Sequence, residues 1–138
     1  AKQAEVFLFG TPGYINLKEE IPNIHNLMAD KLTFRQSAAV LTTCNCCISP
    51  DSAMVHVASA LNVPCVALYG PFPSGLRITS TEAVVIEGKA PCAPCFFHAE
   101  LPEEFPAGMP CTKDKMCVAM LAIPKDEVVR QALDLALG

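Results

Sequence analysis

The sequence predicts an α/β fold: a Rossmann-like parallel sheet flanked by helices, with a Cys/Pro-rich loop set into it. Short continuous apolar runs, such as Val6-Phe7-Leu8-Phe9 and Cys65-Val66-Ala67-Leu68-Tyr69, have the pattern of strands covered on both faces, the habit of parallel sheets. Segments with helical spacing separate these runs, and strand alternating with helix is the signature of that architecture. The chain has 138 residues, is 51% hydrophobic and 17% charged, and therefore carries enough apolar material for the core of one domain, taken as residues 1–138.

Taken in order, Val6-Phe7-Leu8-Phe9 with Gly10 closing it is the first strand, and residues 24–28 are a weaker candidate. Thr33 and Gln36 have the spacing of a capping box, so a helix starts there and runs to about residue 42. Residues 44–48 form the next apolar run. Over residues 52–61, Met54, Val57, Ala58 and Leu61 share one helical face and Ser52, His56 and Ser59 another, with Asn62-Val63-Pro64 ending the helix. Cys65-Val66-Ala67-Leu68-Tyr69 and Ala83-Val84-Val85-Ile86 complete the strands. Near the C-terminus Pro124 suits a first helical position, Asp126 and Glu127 complement the helix dipole, and Val128, Val129, Ala132, Leu133 and Leu135 supply an apolar stripe. Between them, residues 88–123 turn to Pro, Cys, Met and Phe with little periodicity, the composition of a long structured loop or small subdomain.

Several classes are excluded. The apolar runs fall well below the roughly 20 residues of a membrane-spanning helix. A formal net charge of −4 gives no basic footprint for nucleic acid. The opening Ala1-Lys2-Gln3-Ala4-Glu5 has neither an initiator Met nor the order of a signal peptide, so the chain reads as a fragment of something longer. Cys44, Cys46, Cys47 and Cys65 lie in apolar stretches, where free cysteine behaves as a small hydrophobe. Reduced thiols predict a cytoplasmic protein.

Ligands of such sheets bind beyond the carboxyl ends of the strands. The turn Ile48-Ser49-Pro50-Asp51-Ser52-Ala53-Met54-Val55-His56 runs from a strand end into a helix start. There the N–H groups of Ser52, Ala53 and Met54 would be unpaired and would point at an anion. Asp51 could orient those amides or accept from a sugar hydroxyl, and His56 could donate to a phosphate oxygen. Equally, Asp51 or Ser52 merely caps the helix and His56 is a satisfied side chain.

The stretch Asp51-Ser52-Ala53-Met54-Val55-His56-Val57-Ala58-Ser59-Ala60-Leu61-Asn62-Val63-Pro64, followed by Cys65-Val66-Ala67-Leu68-Tyr69-Gly70-Pro71, closely resembles the signature of the family-nine glycosyltransferases, the ADP-heptose:lipopolysaccharide heptosyltransferases. Residues 32–41 and the tail from Cys92 onward are similar to the family as well. The resemblance implies the C-terminal, donor-binding half of a GT-B fold. Asp51, Ser52, Ala53, Met54 and His56 would then surround the diphosphate and ribose, Leu32 and Thr33 would lie against the base, and the Gly10-Thr11 turn would join the rim. It implies an ADP-linked heptose-like donor, a glycan or glycolipid acceptor, a place in lipopolysaccharide or related glycan synthesis at the inner face of the membrane, and transfer without a metal cofactor. Ala53 departs from the family's glycine. The family's first strand–helix unit with its basic phosphate-binding residue, and its N-terminal domain with the acceptor site and general base, are not among these residues, so the chain alone is expected not to turn over.

Cys92, Cys95, Cys111 and Cys117 are four thiols in an irregular region. A Cys-x2-Cys pair and a second pair can close a structural zinc site; packed free thiols, disulfides or an iron–sulfur cluster are the other readings. The alternative function is a noncatalytic association domain with a metal-held Cys loop, whose incomplete sheet edge would pair with another chain, a homodimer included.

Overall fold

The computed structural model describes residues 4–11, 21–28, 30–78, 83–91, 93 and 117–138. These residues group into two compact units, Ala1–Val40 and Leu41–Gly138.

In the first unit, β1 (Val6–Leu8) and β2 (Ile24–Asn26) pair in parallel, Val6 opposite Ile24 and Leu8 opposite Asn26. The His25 ring stacks on Phe7 with centroids 4.8 Å apart, and its Nε2 lies 2.7 Å from the Glu5 carboxylate. Helix α1 (Phe34–Leu41) begins with the expected capping box: the Gln36 N–H donates to Thr33 Oγ1 at 3.3 Å, and the Thr33 N–H donates to Gln36 Oε1 at 2.8 Å.

The second unit is built on a parallel sheet ordered β3 (Cys47–Pro50), β4 (Cys65–Tyr69), β5 (Ala83–Glu87). Its register sets Cys47 opposite Cys65 and Cys65 opposite Ala83. Strand β4 has the boundaries its apolar run predicts, with Pro64 before it and Gly70 after it. Strand β3 begins three residues later than the predicted start at residue 44. Cys44 instead closes the turn after α1, its N–H donating to the Leu41 carbonyl at 3.0 Å. Pro50, which cannot donate to a ladder, is tolerated because β3 is an edge of the described sheet.

Among the described residues, only β4 is a strand covered on both faces. On the flanking strands Ile48 is 51% and Val85 37% exposed, so the continuous apolar reading overstates their burial. Alternate residues of β4 divide the interior. Cys65, Ala67 and Tyr69 join Leu41, Val55, Ala58 and Val63 in one buried cluster, covered by α2 (Ala53–Ala60). Val66, of opposite parity, is also fully buried. Helices α3 (Val118–Leu121) and α4 (Lys125–Leu137) both contact β4 and add no described residue to the first cluster, which leaves them the opposite face.

Helix α2 ends in a Schellman motif: the Val63 N–H donates to the Ala58 carbonyl at 2.9 Å, the Asn62 N–H to that of Ser59 at 3.2 Å, and Asn62 takes φ +55°. Helix α3 lies within the predicted loop of residues 88–123. It approaches the carboxyl end of the sheet closely: a Cβ on Gly88 would stand 1.6 Å from the Ala119 carbonyl oxygen, and one on Gly70 2.9 Å from the Met120 nitrogen. Pro124 is the extended residue before α4 rather than its first helical one. Of the predicted α4 stripe, Val128, Ala132 and Leu135 are half-buried, whereas Val129 and Leu133 are exposed. The 128/132/135 spacing is the inward face and the other two lie outside it. Among the described residues no helix is long and apolar enough to cross a membrane.

Candidate functional site

The turn from β3 into α2 lies at the carboxyl end of the second unit's sheet, where parallel sheets place their ligands. Its form follows from two short polar side chains. Ser49 is buried, and its hydroxyl bonds the Pro50 carbonyl at 3.0 Å and the Ser52 hydroxyl at 2.9 Å. Ser52 is thereby held extended, at φ −153° and ψ 170°, as the N-cap of α2, and its Oγ accepts from the Met54 N–H at 3.3 Å. The Val55 N–H donates to the Ser52 carbonyl at 3.2 Å.

The cap settles which amides remain open. The Met54 N–H, predicted to be unpaired, is taken by the Ser52 hydroxyl. Among the described residues, no hydrogen bond is made by the N–H of Ser52 or of Ala53. Two donors at the positive end of a helix are thus unengaged, one on the half-buried Ser52 and one on the exposed Ala53. His56 is exposed one turn further along α2.

Asp51 does not orient these amides. Its carboxylate stands 3.7 Å from Nε of Arg77, the side chains being 26% and 47% exposed. Arg77 follows the 3₁₀ turn Ser74–Leu76, and its guanidinium lies 4.8 Å from the centroid of the Phe72 ring. Tyr69, the last residue of β4, is 1% exposed, and its hydroxyl has no hydrogen-bond partner among the described residues. Burial pushes the Tyr69 phenol up from its ordinary value, the Asp51 carboxylate adds to this, and the Arg77 guanidinium opposes it. A cavity of about 330 Å³, lined by Phe72, Glu87 and Lys89 among others, opens at the carboxyl ends of β4 and β5.

Arg77, Phe72 and the Tyr69 hydroxyl were not marked by the sequence. Arg77 is separated from Asp51 by helix α2, strand β4 and the Ser74–Leu76 turn, and only the parallel register brings the ends of β3 and β4 together. The available signal was the Tyr69-Gly70-Pro71 turn, which marks the loop carrying both Phe72 and Arg77.

Gly10, Thr11, Leu32 and Thr33 belong to the first unit. Gly10 and Thr11 are exposed, and Gly10 has φ +158°. Leu32 is half-buried. The Thr33 hydroxyl donates to Gln36 Oε1 at 2.8 Å, so its polar groups serve the α1 cap. Of the predicted metal set, Cys92, Cys95 and Cys111 lie outside the described residues, and Cys117 is a half-buried free thiol. Cys44, Cys46, Cys47 and Cys65 are reduced thiols, of which Cys65 alone is fully buried.

Residues 2–104 match the profile of glycosyltransferase family 9 (heptosyltransferase). The chain is 33% identical over 77 residues to lipooligosaccharide heptosyltransferase 2 of Haemophilus influenzae, covering 53% of this chain and 22% of that protein. It is 35% identical over 66 residues to lipopolysaccharide heptosyltransferase 1 of Pseudomonas aeruginosa, covering 47% and 19%. Against lipopolysaccharide heptosyltransferase 2 of Escherichia coli the identity is 41% over 44 residues, covering 32% and 13%. The matched segments thus span less than a quarter of each relative's length. No solved structure matches the chain significantly. With most of its length inside the profile match, and with the parallel sheet and capped strand-to-helix turn described above, the chain belongs to glycosyltransferase family 9 (heptosyltransferase).

Proposed function

We propose that the turn at residues 51–56 binds the diphosphate of a nucleotide-sugar donor, an ADP-linked heptose, in a glycosyl transfer of lipopolysaccharide or related glycan synthesis. The observation that carries this reading is the pair of unengaged amides of Ser52 and Ala53 at the N-terminus of α2, the arrangement that holds phosphate at helix starts. His56, one turn along, adds a ring N–H donor on the same segment. As the sugar–phosphate bond breaks, negative charge grows on the leaving diphosphate, and these donors stabilise it in the way a divalent cation would elsewhere. The names of the relatives support the heptosyl and lipopolysaccharide parts of the reading. The acceptor and the general base are proposed to come from outside residues 1–138.

The test is calorimetric titration of the chain with ADP, with UDP for comparison. Saturable ADP binding, weakened about tenfold or more by Asp51→Ala and by His56→Ala, is the expected result. A well-folded chain that shows no nucleotide affinity at millimolar concentration would overturn the reading.

A further inference from the structure

The guanidinium of Arg77 is placed for more than a surface ion pair. It rises from the loop after β4, on the ligand side of the sheet. Its backbone is anchored there: the Arg77 N–H donates to the Ser74 carbonyl at 2.8 Å, and the Ser74 N–H donates to the Glu87 carboxylate at 2.9 Å. The guanidinium carbon stands over the Phe72 ring, 4.8 Å from its centroid. Toward Asp51 it presents Nε at 3.7 Å, too long for a hydrogen bond. Among the described residues, the two terminal amino groups bond nothing. A planar fork with free N–H groups is the side chain best matched to phosphate oxygens. Beside it lies the buried Tyr69 hydroxyl, which also has no partner among the described residues and senses the charges of both Asp51 and Arg77. The hydroxyl itself is enclosed, so of these groups it is the partly exposed Arg77 guanidinium that a ligand can reach.

We propose that Arg77 is a binding residue for the donor's diphosphate, held ready between Asp51 and the Phe72 ring and presenting its terminal amino groups to phosphate oxygens seated at the N-terminus of α2. The proposal rests on the reading of the 51–56 turn as a diphosphate site. It adds a cation from a different loop, so that the ligand is clamped between the ends of β3 and β4.

The test titrates the wild-type chain, Arg77→Gln and Arg77→Lys with two probes, ADP and inorganic pyrophosphate, at low and moderate salt. Thermal melting of each variant checks that the fold is kept. The expected result is a roughly ten- to hundredfold loss of affinity for both probes in Arg77→Gln, a shallower salt dependence than wild type, and partial recovery in Arg77→Lys, which keeps the charge but not the fork. Wild-type affinity of Arg77→Gln for both probes overturns the proposal and leaves the turn reading standing. Pyrophosphate binding that depends on Arg77, without affinity for ADP, upholds the role of Arg77 and overturns the nucleotide reading. Absence of binding of either probe to the wild-type chain overturns both.

Discussion

At the scale of single residues, the candidate site is a balance of polar groups that are satisfied and polar groups that are not. Ser49, Ser52 and the Met54 amide satisfy one another, which is why the turn keeps its shape without a ligand. The Tyr69 hydroxyl contributes no such bond within the described fold. Tyr69→Phe is therefore expected to leave stability unchanged or to raise it by up to about 1 kcal/mol, because no native hydrogen bond is lost and a desolvated hydroxyl is removed. The same change is expected to leave ADP affinity within about twofold of wild type, because the enclosed hydroxyl is out of a ligand's reach. Urea unfolding and calorimetry measure the two halves. A clear loss of stability would mean that the hydroxyl is a structural group. Asp51, Ser52 and His56 were legible in the sequence because they sit together in one nine-residue turn. The Arg77–Asp51 contact was not, because it depends on how the loop after β4 folds back, which no local spacing encodes.

Between elements, close approach is what makes specific glycines necessary. Helix α3 comes against the ends of β4 and β5, and at Gly88 an added Cβ would lie 1.6 Å from the backbone oxygen of Ala119. No side-chain rotation relieves a clash between Cβ and backbone, so Gly88→Ala is expected to cost about 2–4 kcal/mol. Gly75, whose added Cβ would meet nothing within 4 Å, is the matched control: Gly75→Ala is expected to change stability by less than about 0.5 kcal/mol. Urea unfolding of the two variants decides whether packing at α3, rather than glycine replacement as such, is responsible. Element boundaries were readable where chain punctuation is strong. Pro64 and Gly70 bracket β4, and the Thr33–Gln36 box opens α1. They were misread where residue type and geometry part company. Cys44, Cys46 and Cys47 look alike as apolar letters, but Cys44 closes the turn after α1 while Cys47 starts β3. Likewise the apolar letters of α4 did not distinguish the inward 128/132/135 spacing from Val129 and Leu133.

Across the second unit as a whole, the ionisable groups facing its core tie stability to alkaline pH. Burial raises the Cys44 and Cys46 thiols, with the neighbouring Cys47 adding to both. The Cys65 thiol is raised because its proton is held in a hydrogen bond with Cys47, its in-register neighbour on β3, and because it is buried. The same hydrogen bond lowers Cys47. Tyr69 is raised as well. A raised thiol or phenol keeps its proton in the folded chain at a pH where the unfolded chain has released it. Its contribution to stability is therefore complete below the unfolded value, about pH 8.5 for cysteine and about 10 for tyrosine, and is lost as pH climbs above that value. Cys47, being lowered, works in the opposite sense and offsets only one of the four. Stability is accordingly expected to fall between about pH 8 and pH 10.5, beyond what a fully exposed set of thiols would give. Urea unfolding under reducing conditions across this range measures it, with Cys65→Ala as the comparison. The fall should be shallower in that variant, which removes the most strongly raised thiol and the bond that lowers Cys47 together. A wild-type curve flat over that range would show that the thiols ionise equally in the folded and unfolded chain, and that the Cys47–Cys65 hydrogen bond across β3 and β4 does not withhold a proton.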